Sequence, residues 1–134
     1  MNNSIYNFNL PANEPVLQYL QGSPERIALE QELNRQSSTV EEIPLIIGGE
    51  RIFTGSIGKV VMPHKHGHVI ARYHKAGERE IKMAVEAAKT AHDSWNSQHW
   101  TTRASIMLKI AELITVKYRA KLNAAIMLGQ SKNI

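Results

Sequence analysis

Three histidines at alternate positions form the pattern in this chain that most suggests a chemical role. His64, His66 and His68 stand in the stretch "MPHKHGHVIARYH". Residues at i, i+2 and i+4 share one face of a regular strand, so three imidazoles there could converge on zinc. Pro63 and Gly67 interrupt a regular strand, and they favour an exposed hairpin turn instead. The residues by themselves leave both interpretations open.

Other residue types that could act in catalysis are isolated. His74, His92 and His99 have no partner at a recognisable spacing. No serine stands in a GxSxG elbow, and the glycine-rich "GG" and "GSIG" match neither GxGxxG nor the P-loop. The chain has no cysteine, which excludes a thiolate nucleophile or metal ligand within it. We therefore predict no catalytic or cofactor-binding residue in this chain.

The chain is predicted to begin with an arm followed by a helix. Residues 1–21 combine Asn, Pro and scattered apolar residues without a period, which predicts an irregular N-terminal arm. The following "GSPERIALEQELNRQSS" offers Ser23 as the N-cap and Pro24 at the first helical position. This stretch predicts a surface helix of about three turns.

Short strands are predicted from Ile43 onward. The run "IPLIIGGERIFTG" has two apolar segments around Gly48-Gly49, where a two-residue turn needs positive φ. The runs "KVVMP" and "HVIARYH" predict a second antiparallel pair joined by "HKHG". In that pair we expect Pro63 to end the first strand and Gly67 to serve the turn.

The second half of the chain is predicted to be helical. Beyond Gly77, one apolar stripe follows i, i+3, i+4 and i+7 spacing: Ile81, Ala84, Val85, Ala88, Ala91 and Trp95. A second helix is expected to open at Thr101 or Thr102 as N-cap, and either to continue or to break and restart near Arg119. Gly129 is the expected C-terminal cap.

Composition limits the class of protein. The chain has 134 residues, 43% hydrophobic and 21% charged, which suits one domain and argues against disorder. The net charge is +4, but the basic residues are dispersed, so we predict no nucleic-acid partner. The sequence has no run of 18 consecutive apolar residues, so we predict no membrane span. The first basic residue is Arg26, and no secretory or mitochondrial presequence precedes it, which predicts a soluble protein of a prokaryotic-type cytoplasm.

One family is similar to this chain over nearly its whole length. The stretch "NEPVLQYLQGSPER", 13–26, resembles the N-terminal signature of the Δ1-pyrroline-5-carboxylate dehydrogenases, a branch of the aldehyde dehydrogenase superfamily. Further stretches are similar in order and spacing: "HGHVIARYHKAG", "AVEAAKTAHDSWNSQHWTTRASIMLKIAELI" and "MLGQSKN". The resemblance implies an α/β aldehyde dehydrogenase-like parent, of which this chain is an α+β N-terminal segment.

The resemblance also implies a function for that parent. It would oxidise L-glutamate γ-semialdehyde, the hydrolysed form of pyrroline-5-carboxylate, to L-glutamate with NAD, in proline catabolism. A cysteine thiolate attacks the aldehyde in this family, so we expect a chain without cysteine to be an inactive fragment. Residues 22–134 would form an incomplete N-terminal part of the cofactor-binding domain, and we expect no NAD on this chain alone. In this setting "HKHGH" is a hairpin turn, and a metal site at His64, His66 and His68 is not expected.

Partners follow from the same interpretation. Apolar helix faces would be covered by the remainder of the dehydrogenase chain or by self-association, and the parent is expected to be a homo-oligomer. The alternative hypothesis is a stable, non-catalytic assembly or interaction module built from an aldehyde dehydrogenase N-terminal segment. In that case the apolar stripe from Ile81 to Trp95 and the apolar "AAIML" would need each other or a partner to cover them.

Overall fold

The computed structural model describes residues 13–134. Ten elements follow one another along this part of the chain. They are α1 (Pro24–Ser38), β1 (Glu41–Ile43), β2 (Leu45–Ile47), β3 (Glu50–Ile52), β4 (Ile57–Met62), β5 (Lys65–His74), α2 (Glu78–Asn96), α3 (Trp100–Glu112), a π-helical segment (Leu113–Lys117) and α4 (Arg119–Gln130). These elements confirm the α+β class.

The predicted arm is described only in part. Residues 1–12 lie outside the described residues, and 13–20 form neither helix nor strand. The helix after the arm is confirmed with its predicted start. Pro24 occupies the first turn, and Ser23 Oγ accepts a hydrogen bond from the Arg26 N–H at 3.4 Å. The cap satisfies one of the N–H groups that a helix start leaves free.

Two small sheets follow α1. The hairpin of β2 and β3 is confirmed, and Gly48 and Gly49 both have positive φ, as its two-residue turn requires. The other sheet has the order β1-β5-β4. Its β4–β5 pair is antiparallel as predicted, whereas β1 pairs with β5 in parallel. The three residues of β1 were too short a run to be recognised as a strand from the sequence.

The second hairpin turn is shorter than "HKHG". Met62 pairs with Lys65, so the turn consists of Pro63 and His64. Pro63 does end β4, but the assignment of Gly67 to the turn is wrong, because Gly67 lies inside β5. Breaks in register after Val60 and after Val61 accommodate this hairpin end. The predicted turn "HKHGH" is therefore corrected: His66 and His68 belong to a strand.

Two helix ends also differ from the prediction. Helix α3 begins at Trp100 with His99 as its N-cap, so Thr101 and Thr102 lie within the helix and neither caps it. The restart near Arg119 is confirmed, and the π-helical segment provides it through the bond from the Tyr118 N–H to the Leu113 carbonyl, 2.8 Å. The C-cap of α4 is Ser131, at φ 55°, and not Gly129.

The core lies between α1, α4 and the β4–β5 hairpin. The two helices pack against each other, and α4 also contacts β4. The buried apolar side chains are few: Leu29, Met62, Ala71, Ala124 and Leu128. Leu29 is 2% exposed and Ala124 is fully buried, which lets the two helices approach closely. The predicted stripe of α2 contributes no buried residue to this core.

Candidate functional site

The three alternate histidines do not converge. His64 Nδ1 hydrogen-bonds with Ser131 Oγ at 2.8 Å, at the end of α4. His68 Nε2 donates to the Ser37 carbonyl at 2.7 Å, at the end of α1. Within residues 13–134, no three His, Asp or Glu side chains are grouped so that they could hold a metal ion. The geometry thus gives His64 and His68 separate structural contacts.

His74 is the histidine with the most extensive contacts. It is 6% exposed, and its Nδ1 accepts the Thr54 N–H at 2.8 Å while lying 2.7 Å from the Thr54 carbonyl oxygen. Its Nε2 donates to Glu42 Oε1 at 3.1 Å, and Phe53 meets the ring edge-on. Either protonation state can therefore bind the Thr54 backbone. His74 ties β1 and the 53–56 connection to the end of β5, directly before α2.

A polar clasp joins α1 to α4. Gln36 Nε2 donates to Glu32 Oε2 at 3.1 Å and to the Lys121 carbonyl at 2.9 Å. The hydrogen bond from Gln36 and the neighbouring Arg35 lower the pKa of Glu32 below its ordinary value of 4.5. Hydrogen bonds to Glu41 and Glu32 raise the pKa of Arg35. The clasp stabilises the packing of the two helices from the protein surface.

The lowered pKa of Glu32 fixes the sign of its pH dependence. The folded state holds the carboxyl proton less tightly than the unfolded state does. The stabilisation from this carboxylate is therefore complete above the ordinary pKa and is lost as the pH falls through the lower folded-state value.

A cleft of about 360 Å³ lies between α1, α4 and the β4–β5 sheet. Its floor is apolar and includes Val60, Ile70 and Leu128. At the rim, Arg35 already pairs with Glu41, Nη1 to Oε1, at 3.0 Å. The cleft offers apolar contact but little that would orient a polar substrate.

The helix starts do not fit a dinucleotide. A pyrophosphate binds where a helix N-terminus presents free N–H groups after a glycine-rich turn. At α2, however, the Gly77 N–H donates to the Glu80 carboxylate at 2.8 Å, which places a negative charge there. At α1 the Arg26 N–H bonds to the Ser23 side chain, and at α3 the Thr101 N–H bonds to the His99 side chain. None of these three helix starts combines a glycine-rich turn with an end free of capping groups, which a pyrophosphate requires.

The strongest candidate for a functional surface is apolar. The α2 apolar face, defined by its six stripe residues, lies open to solvent: Ile81, Ala84, Val85, Ala88, Ala91 and Trp95. Ile81 is 57% exposed, Val85 47% and Trp95 38%. The sequence predicted this stripe correctly, but the structure does not cover it. A contiguous exposed apolar patch of this kind marks an interaction surface.

Helix α3 is uncovered in the same way. It has no buried residue, and its apolar side chains include the exposed Met107, Leu108 and Ile110. The buried Nε of Arg103 has no hydrogen-bond partner among the described residues. Among residues 13–134, no helix is long and apolar enough to cross a membrane.

Sequence comparison places this segment within larger proteins. The sequence pattern of the aldehyde dehydrogenase family matches residues 54–134. A Delta-1-pyrroline-5-carboxylate dehydrogenase of Agaricus bisporus is 43% identical over 129 residues, which cover 94% of this chain and 24% of that protein. The mitochondrial Delta-1-pyrroline-5-carboxylate dehydrogenase of Homo sapiens is 38% identical, over 92% of this chain and 22% of its own length.

Structural comparison gives the same relationship. The crystal structure of the Delta-pyrroline-5-carboxylate dehydrogenase from Mycobacterium tuberculosis bound with NAD superposes with a TM-score of 0.89 at 36% identity. The match covers 96% of this chain and 24% of that one. The chain thus spans about a quarter of the length of the relatives that it matches.

Proposed function

The chain belongs to the aldehyde dehydrogenase family, and from this premise we propose that it supplies the N-terminal segment of an NAD-dependent dehydrogenase. The substrate of the whole enzyme would be L-glutamate γ-semialdehyde, which it oxidises to L-glutamate in proline catabolism. The observation that carries this proposal is the match to Δ1-pyrroline-5-carboxylate dehydrogenases over 94% of the chain at 43% identity.

The segment has a structural part in this activity. NAD would accept a hydride from the aldehyde carbon, and its binding residues would lie in the rest of the enzyme. The residues described here hold the β4–β5 hairpin against α1 and α4, and they present α2 and α3 as packing helices. Because the chain has no cysteine, we propose that it does not oxidise the aldehyde by itself.

A chimeric enzyme tests the proposal. The matching segment of the Agaricus bisporus relative is replaced by this chain, and NADH formation from pyrroline-5-carboxylate is followed by absorbance. Since the segment has the required shape, we expect an active chimera. A chimera that folds and binds NAD but does not oxidise this substrate would contradict the proposal.

A second candidate is a non-catalytic interaction module. It is favoured by the packing of α1, α4 and the β4–β5 sheet, which buries a small apolar core within this chain. Size-exclusion chromatography with a dye that binds exposed apolar surface distinguishes the two. A compact monomer without dye binding supports the module, whereas strong dye binding supports an incomplete segment.

Two further predictions about the whole protein stay predictions. One is that the parent is a homo-oligomer. The other is a cytoplasmic location. It stays a prediction because the human relative is named as mitochondrial. Fractionation of the source cell, with an antibody against this segment, measures the location directly.

A further inference from the structure

We propose that the α2 apolar face docks the remaining part of an aldehyde dehydrogenase even when that part is a separate polypeptide. This inference rests on the proposed function and adds its partner and its binding surface. The segment would then act as a preformed subunit that recognises its partner through one helix.

The α2 apolar face points away from the part of the chain on which α2 packs. Helix α2 contacts the rest of the chain at β2, and only Glu80, Met83 and Ala87 are partly covered. Successive residues are about 100° apart around a helix, which places the centre of the stripe about 100° away from these three residues. Packing on β2 therefore leaves the stripe free, and no other part of residues 13–134 covers it.

The lysines beside the α2 apolar face are paired within the helix. Lys82 Nζ pairs with Glu78 at 2.6 Å, and Lys89 Nζ pairs with Glu86 at 2.9 Å. These two lysines form ion pairs within their own helix, so they are not available to bind an acidic partner. The face itself is apolar and would bind an apolar surface. Such a partner is removed from water together with the stripe, which favours association.

The remaining part of an aldehyde dehydrogenase fits the α2 apolar face as its partner. The relatives are about four times longer than this chain, and the fold of this segment inside one of them matches with a TM-score of 0.89. The face thus exists in the shape that it has next to the remaining three quarters of an enzyme. A second copy laid along the stripe fits less well, because Ile81 and Trp95 at its ends would meet bulky residues and hold the small central Ala88 apart from its partner.

The test is co-purification. The tagged chain is co-expressed with the Agaricus bisporus relative from which the matching segment has been removed. Val85→Glu places a carboxylate on the face, and Val40→Glu makes the same change at a site of similar exposure, 47% and 54%, away from α2. Capture of the partner by V85E should fall by about tenfold or more, because an unpaired carboxylate is costly in an apolar interface. The wild type and V40E should capture it equally.

Three results would overturn the inference. The first is equal capture by V85E and the wild type. The second is no capture by the wild type when the single-chain chimera is active, a result that leaves the proposed function standing. The third is a homodimer of the chain that V85E dissociates while the partner is not captured, which would assign the face to a second copy.

Discussion

Truncation of Leu29 should show how much of the stability resides in the α1–α4 contact. Leu29 is 2% exposed, so Leu29→Ala removes three buried carbon groups at about 0.8 kcal/mol each, or about 2.4 kcal/mol. The cavity that remains adds to this cost, since Ala124 on the facing helix is too small to fill it. We expect a total loss of about 3 kcal/mol. For a chain of this length that corresponds to a melting temperature lower by about 12 °C.

Ile81→Ala is the control on the uncovered helix. Ile81 is 57% exposed, so less than half of its side chain can lose contacts, and alanine regains a few tenths of a kcal/mol in helix propensity. The loss should stay below about 1 kcal/mol. Both variants are measured by thermal unfolding of the isolated chain, followed by far-ultraviolet circular dichroism. If Ile81→Ala destabilises as much as Leu29→Ala, the stripe is covered in solution and the reasoning is refuted.

Three further variants test individual contacts. His74→Leu leaves the Thr54 backbone without its partner and should cost about 2 kcal/mol of unfolding free energy in urea, whereas His92→Leu on the surface should be neutral. Ser131→Gly relieves the residue at φ 55° and should raise stability by about 0.5 kcal/mol after the loss of its exposed hydrogen bond; a lower melting temperature would contradict this. Glu32→Gln should flatten the fall in melting temperature below the ordinary carboxyl pKa of 4.5, because the wild-type carboxylate stabilises the fold only while it is ionised; parallel curves would show that the clasp contributes nothing.

Local signals in the sequence predicted most elements. The N-cap and proline at Ser23-Pro24, the two glycines of the first hairpin and the stripe of α2 each depend on neighbouring residues only. They were therefore predictable from the sequence and are confirmed. The strand β1 and the capping role of Ser131 were not, because the parallel pairing with β5 and a left-handed serine carry no distinctive local pattern.

The family and the amphipathic helices could be recognised from the amino-acid sequence alone, because the order of motifs and the helical period are properties of the linear chain. The direction of the α2 stripe and the contacts of each histidine depend on the folded structure. The stripe shows that one face of the helix is apolar, but the direction of that face depends on how α2 packs on β2. In the same way, His64 and His68 meet the ends of α4 and α1 because folding brings distant segments together, and sequence spacing does not encode these distances.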